Sequence, residues 1–209
     1  MKKNLLLWQF GGLTFATALG TILHFLYGWT NLTLLAPISA VNESTWEHMK
    51  ILFFPMLIFA YIQSFFFTEY KGFWWVKLIG IFVGVSTIPI LFYTYNGAFG
   101  TTPDWLNILF FFLAAGLGYL VEGFLFGKEF SLQLPFIPIG ILLAIATLFA
   151  IFTYASPRLP IFQDPLTGGY GLLPSMRYYW FQQFTLYPTP TTRRIFLFYK
   201  KISSHSWIK

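Results

Sequence analysis

Five long apolar stretches dominate this chain and decide what it can fold into. A helix that crosses the hydrocarbon layer of a bilayer needs about 20 mainly apolar residues. The stretches run over Leu5–Trp29, Ile51–Thr68 (extended back by a turn or two), Phe73–Tyr95, Trp105–Phe126 and Leu134–Tyr154. Charged residues make up 10% of the chain, whereas a soluble domain carries about 25%. We therefore predict an all-α, polytopic membrane bundle of five transmembrane helices over residues 1–171.

Lysine and arginine predict the orientation of the bundle, because cytoplasmic loops are enriched in them. With the N-terminus inside, the inner segments carry Lys2, Lys3, Lys71, Lys77 and Lys128. The outer loops then carry Lys50 and Arg158. This bias favours a cytoplasmic N-terminus.

Among Asp, Glu, Lys and Arg, two residues lie inside the predicted spans, Lys77 in the third and Glu122 in the fourth. A charge at the bilayer centre costs about 2.5–3.5 kcal/mol on insertion scales. Both residues lie near the inner ends of their spans, so we expect their side chains to extend to the cytosolic surface, Glu122 beside Lys128. A buried role is the alternative.

Small residues recur every four positions in three of the spans, a spacing that lets helix backbones approach closely. They are Gly12, Ala16 and Gly20 in the first, Gly80 and Gly84 in the third, and Ala114 and Gly118 in the fourth. We expect these faces to pack within the bundle.

Polar side chains gather at the predicted outer ends of the spans. Because the spans alternate in direction, the end of one and the start of the next meet at the same surface. The candidate cluster contains His24, Asn42, Glu43, Glu47, His48 and Asp164, and the secondary candidates are Tyr93, Tyr95, Asn96 and Asp104. We expect these residues to form one polar rim.

The densest part of this rim is residues 41–50. Ser44 and Glu47 have the spacing of a capping box, in which the carboxylate reaches back to the start of the helix. If the helix begins by Asn42, Glu43 and Glu47 share one face. With His24 and His48 they could then bind Zn²⁺ or another divalent ion.

The metal site has a competing interpretation. The spacing of these residues matches no standard metal motif, and HExxH is absent. The chain also has no cysteine, which excludes disulfides and thiolate metal ligands. A hydrogen-bonded cluster that ties the loop to the bundle is therefore the alternative.

The segment 156–171 is rich in proline and glycine, which predicts turns rather than a long helix. It contains Asp164-Pro165 and Thr167-Gly168-Gly169. Composition alone leaves two possibilities open, an ordered lid over the rim and a flexible exit strand.

The last part of the chain, 172–209, forms a basic, aromatic tail. The net charge of +6 comes from its residues Arg177, Arg193, Arg194, Lys200, Lys201 and Lys209, since acids and bases balance before it. Such a tail can bind acidic headgroups or RNA. For the neutral main body we expect contact with the lipid bilayer and no nucleic acid.

Two segments carry a resemblance to a known family. They are 24–50, with Asn42-Glu43-Ser44-Thr45-Trp46-Glu47-His48, and 159–171, which ends in Gly168-Gly169-Tyr170-Gly171. Over positions 1–171 the chain resembles domain-of-unknown-function family 6512, small bacterial membrane proteins with about five predicted spans. The resemblance implies a bacterial cytoplasmic membrane and brings no activity with it. Members typically stop soon after the Tyr-Gly pair, so the tail is a departure from the family.

Three functions remain open at this stage. The first is a non-enzymatic binding, accessory or assembly protein of unknown ligand or partner. The second is an outer-leaflet metal-dependent hydrolase, with His24, Glu43, Glu47 and His48 as ligands or acid–base groups and Asp164 supplied by the lid. The third is a subunit of a transporter complex. No nucleophile–base pair or phosphate loop is present, which favours the first.

Overall fold

The computed structural model describes residues 2–126, 128 and 134–172, so the predictions for the basic tail from 173 onward lie outside the described residues. The described chain forms five α-helices: α1 (Lys2–Thr30), α2 (Thr45–Ser64), α3 (Phe73–Phe99), α4 (Asp104–Leu125) and α5 (Phe136–Tyr154). Short 3₁₀ turns cover Thr33–Leu35 and Pro160–Phe162. Within these residues the only β pairing is an isolated bridge between Gln163 and Tyr170. The all-α prediction is confirmed.

Four of the five helices are long and apolar enough to cross a membrane, as expected for a membrane protein. These are α1 from Asn4 onward, α3, α4 and α5. The fifth helix, α2, is not among them, because Glu47, His48 and Lys50 fall within its first two turns. The prediction of five spans is therefore supported for four helices.

The helix α2 lies at the centre of the bundle and packs against α1, α3 and α5. Four apolar side chains on this helix are at most 1% exposed: Leu52, Phe53, Met56 and Ala60. Its apolar side chains join the main hydrophobic core with residues from every other helix. Burial inside protein explains why α2 tolerates polar residues that a lipid-facing helix would not.

Small residues let the helices approach closely, as the sequence predicted. A Cβ atom at Gly118 of α4 would lie 2.8 Å from the carbonyl oxygen of Gly80 on α3. A Cβ at Gly84 would lie 3.2 Å from the carbonyl oxygen of Ala114. On α1, a Cβ at Gly20 would lie 2.9 Å from the carbonyl oxygen of Ile51. These faces pack within the bundle.

An aromatic cluster closes the end of the bundle where α2 ends and α3 begins. Phe67, Phe73 and Phe126 pack together there, with ring centroids 5.4–6.0 Å apart. The Tyr70 hydroxyl donates to the carbonyl oxygens of Leu125 and Lys128, at 3.2 and 2.6 Å. Partial burial raises the pKa of the Tyr70 phenol, which keeps it a hydrogen-bond donor. These bonds tie the α2–α3 link to the end of α4.

Candidate metal centre

Three side chains from two helices and one loop converge at the end of α1. His24 lies on α1, Glu43 lies just before α2, and His48 lies in its first turn. His24 Nε2 is 3.7 Å from Glu43 Oε1, and His48 Nε2 is 3.6 Å from Glu43 Oε2. The imidazole centroids are 5.4 Å apart. One ligand atom from each residue lies within 4.8 Å of the others, close enough to hold one metal ion.

The start of α2 positions two of these residues. Ser44 is the N-cap, and its hydroxyl accepts the backbone N–H of Glu47 at 3.4 Å. The side chain of Asn42 accepts the backbone N–H of Ser44 at 2.8 Å. Glu43 therefore lies between two bonded residues in a fixed loop. His48 lies one turn into the helix, on the side of α2 that faces Glu43 and His24.

A hydrogen bond orients the His48 ring. Its Nδ1 lies 2.9 Å from the carbonyl oxygen of Ser44. A carbonyl can only accept, so Nδ1 carries a proton, and in the neutral ring Nε2 is then the nitrogen with the lone pair. That lone pair faces Glu43. Metal-bound histidines usually have such a backbone partner on the other ring nitrogen.

The distances in this triad suit a metal ion better than direct hydrogen bonds. Separations of 3.6 and 3.7 Å exceed the range of about 2.7–3.2 Å that is usual for a hydrogen bond. Ligands about 2.0–2.1 Å from a tetrahedral Zn²⁺ lie about 3.3 Å from one another. The three side chains are 20–24% exposed. The triad is therefore spaced so that one ion could be held after small side-chain movements, at a site open to solvent.

The fourth predicted ligand, Glu47, does not belong to the triad. Its Oε2 lies 2.5 Å from Lys50 Nζ and accepts the backbone N–H of Val41 at 3.0 Å. The helix begins at Thr45 rather than by Asn42, so the condition under which Glu43 and Glu47 would share one helical face is not met. The predicted capping box forms only in part, because Asn42 takes the Ser44 N–H that Glu47 would have accepted.

Lys50, which the sequence assigned to an outer loop, lies inside α2 and is 0% exposed. Besides Glu47, its ammonium donates to the carbonyl oxygen of Ala36 at 2.9 Å and to Thr153 Oγ1 at 2.8 Å. These bonds join α2 to the loop after α1 and to the end of α5. Glu47 and Lys50 form a structural junction beside the triad.

Asn42 and Asp164 hold the proline- and glycine-rich segment in place. Asn42 Nδ2 donates to the carbonyl oxygen of Gly171 at 2.8 Å. The Asp164 carboxylate accepts the backbone N–H of Leu166 at 3.0 Å and the hydroxyl of Thr167 at 2.8 Å. Asp164 is 3% exposed, and both of these bonds stabilise the turn in which it lies.

Aromatic contacts attach the same segment to α2. Phe162 packs on Trp46, with ring centroids 4.6 Å apart, and also on Phe152 of α5. Through residue 172 the segment thus packs against α2 and α5.

The secondary candidates lie at the junction of α3 and α4. Tyr93 is 40% exposed, and Tyr95 packs against Phe99 and Phe110. The side-chain oxygen of Asn96 accepts the Thr102 hydroxyl at 2.6 Å, and Asp104 is exposed in the first turn of α4. None of the four belongs to the His24–Glu43–His48 group.

The expectation that Lys77 and Glu122 extend to the surface is wrong. Both are 1% exposed, and Lys77 Nζ lies 2.5 Å from Glu122 Oε2. Gly80 leaves the space for this pair, because a Cβ there would overlap the Glu122 side chain. Lys128 instead lies over the Phe124 ring, 4.1 Å from its centroid. The opposite charges of Lys77 and Glu122, both near the inner ends of their predicted spans, were the sequence signal that could have suggested a pair.

Comparison with known proteins gives a family and no characterised relative. A model described as a family of unknown function (DUF6512) matches residues 1–172. No curated protein and no solved structure matches the chain.

Proposed function

The chain belongs to the family of unknown function DUF6512, and we propose that it is a membrane protein that binds one divalent transition-metal ion through His24, Glu43 and His48. Two imidazoles and one carboxylate are ligands typical of Zn²⁺. The observation that carries the proposal is the spacing of 3.6 and 3.7 Å between the histidine Nε2 atoms and the two oxygens of Glu43.

The surrounding hydrogen bonds support a binding role over a purely structural one. The junction of Glu47, Lys50 and Thr153 already ties the loop and α5 to α2. Asn42 already holds Gly171. The three triad side chains are 3.6–3.7 Å apart, too far for direct hydrogen bonds to one another, yet they keep a carboxylate between two imidazoles. A bound cation would offset the charge of the carboxylate and accept a lone pair from each imidazole.

Elemental analysis of protein purified without a polyhistidine tag tests the proposal. We expect one equivalent of zinc per chain after incubation with Zn²⁺ and removal of the excess. His24→Ala, Glu43→Ala and His48→Ala should each lose most of it. His205→Ala, which changes the remaining histidine of the chain, is the matched control and should keep it. Equal, substoichiometric zinc in all five proteins would contradict the proposal.

A second candidate is a zinc-dependent hydrolase of lipid-linked substrates. It is favoured by the number of protein ligands in the triad, which is three. Three protein ligands leave the fourth tetrahedral position for water, as in catalytic zinc sites. The partial exposure of the triad gives that water a path to solvent. The measurement is zinc-dependent release of a fluorescent acyl chain from phospholipid in nanodiscs. Turnover that His48→Ala abolishes would favour this candidate over simple binding.

The same proposal includes an orientation in a bacterial cytoplasmic membrane. We put the N-terminus inside, the triad at the extracytoplasmic face, and α2 across the membrane as a fifth span. The lysine bias supports the orientation. The 20 residues of α2 would extend about 30 Å, enough to cross.

Because the chain has no cysteine, single thiols can test this orientation in cells. Leu34→Cys, in the α1–α2 loop, should react with an impermeant maleimide in intact cells. Lys71→Cys, in the α2–α3 link, should react only after permeabilisation. The reverse pattern would overturn the orientation and leave the metal site untouched.

A further inference from the structure

The interior of the bundle holds a second polar cluster, formed by Lys77, Glu122, Gln9, Gln63 and Tyr119. Four helices supply it, since Gln9 lies on α1, Gln63 on α2, Lys77 on α3, and the other two on α4. All five residues are buried, with exposures between 0% and 8%. We call this set the inner polar cluster. It shares no residue with the metal triad.

Three members of the inner polar cluster lack hydrogen-bond partners within the described part of the chain. Both amide atoms of Gln9, both amide atoms of Gln63 and the hydroxyl of Tyr119 are buried and unbonded. A buried polar atom left without a partner costs about 1–3 kcal/mol. Five such atoms in one region are too costly to be left unpaired, which indicates that something bonds to them.

Packing contacts bring Tyr119 and Gln9 to the ion pair. Lys77 Nζ lies 5.7 Å from the Tyr119 ring centroid. A Cβ at Gly123, the neighbour of Glu122, would lie 3.6 Å from Gln9 Cγ. Gln9 is thus in contact with α4 next to the pair.

Gln63 is linked to the same region by Phe59, one turn earlier on α2, and by Phe67, which follows the end of that helix. Phe59 lies 5.9 Å from Lys77 Nζ. Phe67 packs on Phe126, whose ring lies 5.5 Å from the same nitrogen. Gln63 thus lies one turn along α2 from a ring that borders the ion pair, and four residues before Phe67 in the chain.

The charges of the cluster specify the kind of molecule that fits. Lys77 and Glu122 balance each other, and the other three members are uncharged. An additional ion would remain uncompensated in a buried site, which is unfavourable. A carboxamide both donates and accepts, and so does a phenol.

We propose that the inner polar cluster binds a small uncharged molecule that both donates and accepts hydrogen bonds, linking Gln9, Gln63 and Tyr119 beside the Lys77–Glu122 pair. Ordered water is the smallest such molecule, and a small neutral polar solute has the same chemistry. The ligand separates the two amides and supplies the bonds that they lack.

A high-resolution structure of the full chain in lipid nanodiscs tests this directly. We expect density between the Gln9 and Gln63 amides, within hydrogen-bond distance of both. Separate spherical peaks would identify water, and one continuous larger feature would identify a solute. If the feature is a solute, native mass spectrometry of the same sample should show its added mass. A direct amide–amide hydrogen bond, or an empty gap, would overturn the proposal.

Thermal unfolding of Gln63→Leu gives an independent test. If a ligand bonds the amide, this change removes its anchor and lowers the Tm by several degrees. If the amide is buried dry and unbonded, the same change removes a penalty and raises the Tm, which would contradict the proposal. Thr17→Val is the matched control, because the Thr17 hydroxyl is buried but already donates to Leu13. If Gln63→Leu fails to fold, the wild-type density still decides.

Discussion

Glu47 and Lys50 form an ion pair at the start of α2, with Oε2 and Nζ 2.5 Å apart and both side chains at 0–2% exposure. The pair lies immediately beside the His24–Glu43–His48 triad, since Glu47 and His48 are adjacent in the chain. The two carboxylates that the sequence grouped together therefore face different surroundings. Glu43 faces two imidazoles with access to solvent, whereas Glu47 neutralises a buried lysine.

Removing the Glu47 charge should destabilise the protein strongly. Glu47→Gln leaves the Lys50 ammonium buried with only neutral acceptors, which costs about 3–5 kcal/mol in comparable buried pairs. The measurement is reversible unfolding in detergent. Glu43→Gln, four residues earlier and partly exposed, is the matched control and should change metal-free stability by less than about 1 kcal/mol. Equal losses of unfolding free energy for the two variants would contradict the different roles assigned to Glu47 and Glu43.

The Lys77–Glu122 pair should show strong coupling in a double-mutant cycle. Lys77→Met alone leaves a buried carboxylate without its partner and should cost about 3–5 kcal/mol. Lys77→Met combined with Glu122→Leu removes both charges and should recover most of that loss. Additive losses in the unfolding free energy would mean that the two side chains do not interact in the membrane.

Gly118 should be far less tolerant of alanine than Gly116 on the same helix. A methyl group at Gly118 would meet the Gly80 carbonyl, whereas nothing lies within 4 Å of one at Gly116. Gly118→Ala should therefore destabilise the bundle by about 1–3 kcal/mol. Gly116→Ala should be neutral or stabilising by up to about 1 kcal/mol. Thermal unfolding in detergent measures both, and indistinguishable Tm values would contradict the close α3–α4 contact.

Asp164 should control the order of the segment after α5. Asp164→Ala removes two side-chain bonds, to Leu166 and Thr167, each worth about 1 kcal/mol. We expect faster chymotrypsin cleavage after Leu166 or Tyr170, detected by mass spectrometry. Gln163→Ala removes only one exposed bond, from Gln163 Nε2 to the Gly168 carbonyl oxygen at 3.2 Å, and should speed cleavage much less. Unchanged cleavage in Asp164→Ala would show that other contacts order the turn.

Hydropathy and local spacing were sufficient to predict the helices and their packing faces. Gly80, Gly84 and Gly118 mark the α3–α4 contact in the sequence because close approach requires small side chains. The same reasoning brought His24, Glu43 and His48 to one end of the bundle, since alternating helices return to the same surface. These inferences depend on periodicity and connectivity alone.

Side-chain direction could not be obtained in this way. Glu47 turns inward because the helix begins at Thr45 and because Lys50, one turn later, is buried. Lys77 meets Glu122 only because α3 and α4 pack closely at Gly80, a contact between distant parts of the chain. A single sequence gives the cost of a buried charge, but the partner that offsets it is determined by tertiary packing.

X-ray absorption at the zinc edge tests the metal site most directly. For zinc-loaded protein in detergent, we predict a first shell of nitrogen and oxygen atoms at about 2.0–2.1 Å, with outer-shell scattering from two imidazoles. His24→Ala and His48→Ala should each lose one imidazole contribution. A spectrum with only oxygen ligands, or one that neither substitution alters, would contradict metal binding by His24, Glu43 and His48.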